Sequence, residues 1–276
     1  MKPPRISVLM PAYNSEEYIG QAIESILNQT FSDFEFIIIN DGSNDKTADV
    51  VRSYNDKRIR FVDNPKNKGL VAVLNQGLDL CRGEYVARMD SDDISLPKRF
   101  EKQVAYMDKH PECSVLGTWF ECFGKSDGVV QHPEHIKIMD ILNDHHVGHP
   151  TVFIRKSVID KYDFRYDKNY THAEDFELWS RMVFVTEIHN LPEILLNYRW
   201  TDTNVSTVHA EEQRNVARRV KQNVVDKLTD DTVKQRILLH EMKQGFLLPK
   251  WLGRICCLVI PSHSMRHNFR SKYVKD

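Results

Sequence analysis

Short apolar runs alternate along the first ninety or so residues with segments in which apolar side chains recur every three or four positions. Ile6-Ser7-Val8-Leu9-Met10 reads as a buried strand stopped by Pro11. Asn14-x-x-Glu17 has the form of a capping box, and Tyr18, Ile19, Ala22, Ile23, Ile26 and Leu27 then define one helical face. Phe34-Glu35-Phe36-Ile37-Ile38-Ile39 predicts a second strand that ends in the turn signal Asn40-Asp41-Gly42-Ser43. A helix through Val50-Val51, a strand over 59–62, a helix over 69–80 with Leu70, Val73, Leu74 and Leu78 inward, and a strand over 85–89 follow. This β-α-β-α-β-α-β order predicts a parallel sheet with helices on both faces. Polar clusters at Asn14, Asp41 and Asp90 follow three of the four strands and so fall on one carboxyl edge, where open α/β sheets bind ligands.

The second half is less regular. The pattern predicts helices over 100–107, 136–142 and 174–184, an aromatic-rich strand over 114–123, and strands over 151–154, 187–190 and 194–198. A long, charged helix over 208–228 opens a helical tail.

Composition narrows the classes only slightly. The 276 residues suit one large α/β domain with an appendage, and a net charge of −1 offers no global field for nucleic acid. Five cysteines (Cys81, Cys113, Cys122, Cys256, Cys257) without C-x-x-C spacing argue against a disulfide framework or structural zinc and for a reducing compartment. No signal peptide and no membrane span are expected, which makes the expected location cytoplasmic.

The chemistry concentrates in Met89-Asp90-Ser91-Asp92-Asp93. Acids spaced Asp-x-Asp at a strand end, with no His or Cys beside them, suit a hard cation such as Mg²⁺ or Mn²⁺ that completes its shell with substrate phosphates. The alternative is a solvated acidic turn. Asp92, with Asp90 beside it, is the principal candidate ligand, and Asp93 competes with Asp92 because the triple acid leaves the register open.

Several blocks carry a resemblance. Val8-Leu9-Met10-Pro11-Ala12-Tyr13-Asn14, the run Asn28 to Glu35, Asn40-Asp41-Gly42-Ser43-Asn44-Asp45 and Asn67-x-Gly69 are similar to successive blocks of family 2 glycosyltransferases. So are Asp90-Ser91-Asp92-Asp93 and the acid pair Glu174-Asp175, in the same order. The resemblance covers about residues 5–206 and implies a GT-A fold: a Rossmann-like, mostly parallel central sheet flanked by helices. It divides 1–206 into a nucleotide-binding half (1–95) and an acceptor-binding half (96–206), leaving 207–276 as a C-terminal helical appendage. It implies inverting transfer from a nucleotide-diphosphate sugar, a UDP-sugar by default, to a saccharide or lipid-linked saccharide acceptor in cell-surface polysaccharide or lipopolysaccharide synthesis.

The resemblance also implies roles. Asp175 is the candidate base with Glu174 as its rival; the alternative is that the pair is only a helix-start feature favoured by the helix dipole. The donor-side candidates are Pro11, Ala12, Tyr13, Asn14, Asp41, Asn67, Lys68, Asp90, Ser91 and Arg199. Asp41 would read the nucleobase, or only shape its turn. Arg199 would meet the diphosphate, or stay on the surface. His149 and His172 are further site candidates whose alternative is a structural or solvated role, and Trp119, Phe120 and Phe123 would form an acceptor platform or simply core. Two competing readings are a sugar nucleotidyltransferase and a non-catalytic sugar-binding relative. The first is opposed by a Pro-Ala-Tyr-Asn loop where that class carries a Gly-rich one, the second by the intact acids. Apolar residues from Trp251 to Ile260 followed by basic ones suit peripheral contact with the inner face of a membrane, and equally a packed terminal helix.

Overall fold

A computed structural model describes residues 3–143, 146–202 and 204–229. The expected membrane-facing part of the tail lies outside the described residues. The chain divides into two compact units, 1–218 and 219–276. Among the described residues no helix is long and apolar enough to cross a membrane.

In chain order the strands are β1 (Ile6–Ala12), β2 (Phe34–Asn40), β3 (Ile59–Asp63), β4 (Tyr85–Arg88), β5 (Ile94–Ser95), β6 (Cys113–Gly124), β7 (Gly128–Val130), β8 (His135–Ile136), β9 (Phe153–Arg155) and β10 (Glu187–Trp200). The helices are α1 (Ile19–Leu27), α2 (Thr47–Arg52), α3 (Leu70–Leu80), α4 (Arg99–Lys109), α5 (Ile138–Asn143), α6 (Lys156–Tyr162), α7 (Glu174–Met182), α8 (Val205–Val208) and α9 (Ala210–Thr229). One ten-stranded sheet runs β3-β2-β1-β4-β9-β6-β10-β5, with β7 added on β6 and β8 on β10. The first four strands are parallel. β9 is antiparallel to both β4 and β6, so β6 and its parallel partner β10 point the same way as β1.

Every residue of β1 and β2 is buried, as both faces of the sheet are covered. Ile6, Val8 and Met10 pack in one core with Ile19, Ile23 and Ile26 of α1 and with Phe100 and Met107 of α4. Leu9, on the opposite face by the two-residue repeat, lies under α3. Gly77 makes that approach feasible, because a Cβ there would sit 2.1 Å from a Leu9 methyl.

Four details differ from the sequence expectation. Pro11 does not stop β1, which continues to Ala12. The Leu9 carbonyl accepts from the Met89 N–H just past β4, and the Ala12 carbonyl from the Asp41 N–H just past β2. Pro11 therefore faces the β4 side, beyond that strand's last paired residue, and its missing N–H costs no ladder bond. The capping box at Asn14 is absent: α1 starts at Ile19 without a side-chain cap. Leu70 points outward, 37% exposed. The two strands expected over 187–198 are one, β10, whose register shifts between Leu191 and Ile194 absorb Pro192.

Candidate active site

Three parallel strand ends bring the nucleotide-side candidates to one edge. A cavity of about 240 Å³ is lined there by Pro11, Ala12, Tyr13, Asp41, Asn67, Leu70, Val73, Asp90 and Ser91. The outward turn of Leu70 is thereby explained. Asn14, Lys68 and Arg199 lie outside this lining. Asn14, in a left-handed conformation, joins the loops after β1 and β2: its N–H donates to Ser43 Oγ and its Oδ1 accepts from the Asn44 N–H, both at 2.9 Å. Asp41 is 4% exposed and accepts from the backbone N–H groups of Lys68 (2.9 and 3.1 Å) and Gly69 (2.9 Å). It thus ties the end of β2 to the loop before α3. Gly42 permits the tie: its φ is +67°, and a Cβ would lie 2.5 Å from the Lys66 carbonyl carbon. The Lys68 ammonium turns to Asn64 Oδ1 at 3.0 Å.

The acid turn after β4 brings Asp90, Asp92 and Asp93 together, with an oxygen of each within 4.8 Å of the others. Asp90 pairs with Arg88. Burial, reinforced by the charge of Asp90, pushes the Asp92 carboxyl up to about 6. Asp93 is fully buried and is driven well above the ordinary carboxylate range by burial and by its two acidic neighbours. Its Oδ1 accepts from the Arg199 N–H at 2.8 Å, while Oδ2 has no hydrogen-bond partner among the described residues. Crowded carboxylates in a low dielectric, one oxygen unsatisfied, form a donor set that a hard divalent cation would relieve. The Ser91 hydroxyl lies 2.7 Å from that of Ser15.

Arg199 braces this turn. Its Nε donates to the Asp92 carbonyl at 2.8 Å and its Nη2 to Gln21 Oε1 at 2.7 Å. Its guanidinium lies 4.3 Å from the Tyr18 ring centre and 4.5 Å from that of Phe123. Behind the turn, buried Arg99 donates to the Arg88 carbonyl at 2.8 Å, and desolvation pulls its pKa down to about 9.

Glu174 and Asp175 open α7. Asp175 Oδ1 accepts from the Phe176 N–H at 2.7 Å, and its Oδ2 lies 4.0 Å from His149 Nδ1. The other nitrogen of His149 is 3.0 Å from the Tyr166 hydroxyl. Burial and then the neighbouring Asp175 push Glu174 up to about 7. Tyr166 is buried, and burial raises its hydroxyl well above the ordinary tyrosine range, with the charges of Arg88, Asp175, Glu174 and Asp90 as smaller influences. Asn75 of α3 holds it there with a pair of 2.9 Å bonds to the Tyr166 backbone. Arg88 and Tyr166 were not among the sequence candidates. A charge inside the apolar run Tyr85–Met89 was the available signal for Arg88, whereas nothing local marks Tyr166.

The remaining candidates scatter. His172 stacks on His209 with ring centres 4.0 Å apart. Trp119 donates to the His132 carbonyl at 2.9 Å, Phe120 packs on Tyr198 with centroids 5.6 Å apart, and Phe123 covers Arg199.

A mostly parallel sheet with a carboxylate turn and a cavity at its carboxyl edge is the architecture of a GT-A glycosyltransferase. The glycosyl transferase family 2 model matches residues 7–175, and the chain belongs to that family. It is 34% identical over 235 residues (79% of this chain, 72% of the relative) to an uncharacterized glycosyltransferase of Haemophilus influenzae. It is 36% identical over 207 residues to the O-antigen biosynthesis glycosyltransferase WbnJ of Escherichia coli (70% and 79%). It is 34% identical over 212 residues to the amylovoran biosynthesis glycosyltransferase AmsE of Erwinia amylovora (70% and 75%). Among solved structures, S. aureus TarS 1-349 in complex with UDP-GlcNAc superposes with a TM-score of 0.68 at 23% identity, over 78% of this chain. The match spans 65% of the TarS chain, just under two thirds of its length. The fold is thus GT-A, and the sugar nucleotidyltransferase reading is set aside.

Proposed function

We propose that this chain transfers a sugar, with inversion, from a nucleoside-diphosphate sugar to the hydroxyl of a saccharide or lipid-linked saccharide during assembly of a cell-surface polysaccharide. The observation that carries the reading is the gathering of Asp90, Asp92 and Asp93 beside the Asp41 cavity. Relatives named for O-antigen and amylovoran synthesis support the product class. A relative named for glucosyl transfer from UDP-Glc to a diphosphoundecaprenol-linked GlcNAc, 28% identical over 206 residues, supports a UDP-sugar and a lipid-linked acceptor.

In this reading Pro11, Ala12 and Tyr13 flank the base and Asp41 accepts from it. A carboxylate has about four lone-pair sites; the N–H groups of Lys68 and Gly69 and, at 3.4 Å, the Asn64 amide are three donors, which leaves one site for a ring N–H. Asp92 with Asp90 would hold Mn²⁺ or Mg²⁺, Asp93 being the rival ligand, and the bound cation supplies charge neutralisation at the departing diphosphate. A mannosyltransferase of Pyrobaculum calidifontis solved with GDP-Man and Mn²⁺, TM-score 0.57 at 16% identity, agrees with such a cation. Asp175 takes the proton of the attacking hydroxyl, and His149, anchored by Tyr166, orients it. Arg199 keeps the acid turn in place. A single displacement needs one base and no enzyme nucleophile. The buried thiols of Cys81 and Cys113, pushed up to about 12, are unsuited to be one. The enzyme would work at the cytoplasmic face, where lipid-linked acceptors present their sugars.

The test is a thermal-shift screen of nucleotide sugars with and without Mn²⁺. One uridine diphosphate sugar should raise the melting temperature more when Mn²⁺ is present, and Asp92→Asn should remove the metal's share. Failure of every nucleotide sugar and of free UDP to stabilise the protein would overturn the reading.

A further inference from the structure

The far edge of the sheet carries a second constellation. β10 runs parallel to β6 and in the direction of β1, so its first residues lie at the amino edge, opposite the acid triad. Glu187 and His189 are two positions apart on that strand and project from the same face. The cross-strand partner of His189 is His135 of β8. One ligand atom from each of His135, Glu187 and His189 lies within 4.8 Å of the other two. The imidazoles of His135 and His189 meet edge to face, centres 4.3 Å apart, and His189 Nε2 lies 2.8 Å from Glu187 Oε2.

We propose that His135, Glu187 and His189 form a binding site for one divalent zinc ion, distinct from the cation site of the acid triad.

The donor set separates the two sites. Two imidazoles and a carboxylate match zinc's preference, whereas the all-carboxylate triad matches Mg²⁺ or Mn²⁺. The strand arrangement supports it, because an i, i+2 pair and a cross-strand neighbour converge without help from a flexible loop. His189 is also prepared for the role. It is buried, and its Nδ1 lies 2.9 Å from the Tyr106 hydroxyl, which leaves Nε2 directed at Glu187. An outer partner on the second ring nitrogen is the usual means of fixing a metal-binding histidine. His135 and Glu187 are exposed, so an ion has an entry path and a solvent position for a fourth ligand. Two residues of β8 pair with β10. An ion held by both strands would fasten the segment that leads into α5 and on to His149.

The experiment is a titration of the metal-free full-length protein with Co²⁺ followed by Zn²⁺. Wild type should bind one Co²⁺ with the intense visible absorption of a four-coordinate nitrogen–oxygen site, and Zn²⁺ should bleach it. His135→Asn and Glu187→Gln, both at exposed positions, should lose that band, and Asp92→Asn should keep it. Tyr106→Phe should keep the band but weaken zinc affinity by about 10–100-fold. The proposal is overturned if His135→Asn shows wild-type affinity and spectrum, or if wild type gives only a weak octahedral spectrum that Asp92→Asn removes. Neither outcome depends on transferase activity, so this inference and the proposed function fail separately.

Discussion

Replacing Glu174 by glutamine tests whether the acid pair at the start of α7 is a strained arrangement kept for function. In the folded protein this carboxyl is buried beside Asp175 and is raised from the ordinary 4.5 to about 7. Between these two values the folded state binds more protons than the unfolded state, so stability falls as pH rises through that window and stays lowered above it. A shift of this size corresponds to at most roughly 3 kcal/mol at pH 8, and to under about 1 kcal/mol at pH 5. Glutamine keeps the shape and carries no charge to bury. Glu174→Gln should therefore be more stable than wild type at pH 8, with the advantage shrinking steadily towards pH 5. Urea denaturation of both proteins at pH 5, 6, 7 and 8 reads the difference directly. An advantage that is independent of pH, or a variant less stable at pH 8 than at pH 5 relative to wild type, would refute the reasoning. Turnover should survive in this variant, since Asp175 is the proposed base.

Asp175→Asn should lower kcat by about 10²–10⁴ while donor affinity, measured calorimetrically, stays near wild type; a dead Glu174→Gln beside an active Asp175→Asn would exchange the two roles. Asp41→Ala should weaken free UDP and UDP-sugar alike by roughly 1.5–3 kcal/mol in titration calorimetry, and unchanged UDP affinity would restrict Asp41 to its bonds with Lys68 and Gly69. For Asp92→Asn, donor binding should no longer respond to Mn²⁺, and wild-type turnover undiminished in excess EDTA would remove the argument for a cation.

Much of the nucleotide half was legible because its signals are local. β1 and β2 are short, largely apolar runs buried throughout, and α1 and α3 carry a helical repeat, so these elements announce their own burial. The expectation that Asn14, Asp41 and Asp90 meet on one edge needed only the parallel order. The acceptor half was harder. β5 and β8 have two residues each and β7 three, too few for a period. Pro192 divided β10 on paper because a bulge is invisible before the partner strand is known. The same limit applies within the site. Tyr166 and His149 gain meaning only from each other and from acids at distant positions, whereas the acid turn is written in consecutive letters. The expected diphosphate contact of Arg199 could not be weighed against its contacts with Asp92, Asp93 and Gln21 without coordinates.

The bond from the Arg199 N–H to Asp93 spans 106 positions of sequence. The residues lining the cavity all fall between 11 and 91, so a nascent chain can build the nucleotide cleft from what has already left the ribosome. The acid turn has a different schedule. Its brace arrives with β10, after β6 and β9 have been laid between that strand and β4. Closing so long a loop is among the slower steps available to a chain of this size. If the acid turn holds a cation as proposed, its affinity would be tied to the last strands of the sheet and would report completion of folding: without β10 the acid turn loses the brace that Arg199 supplies.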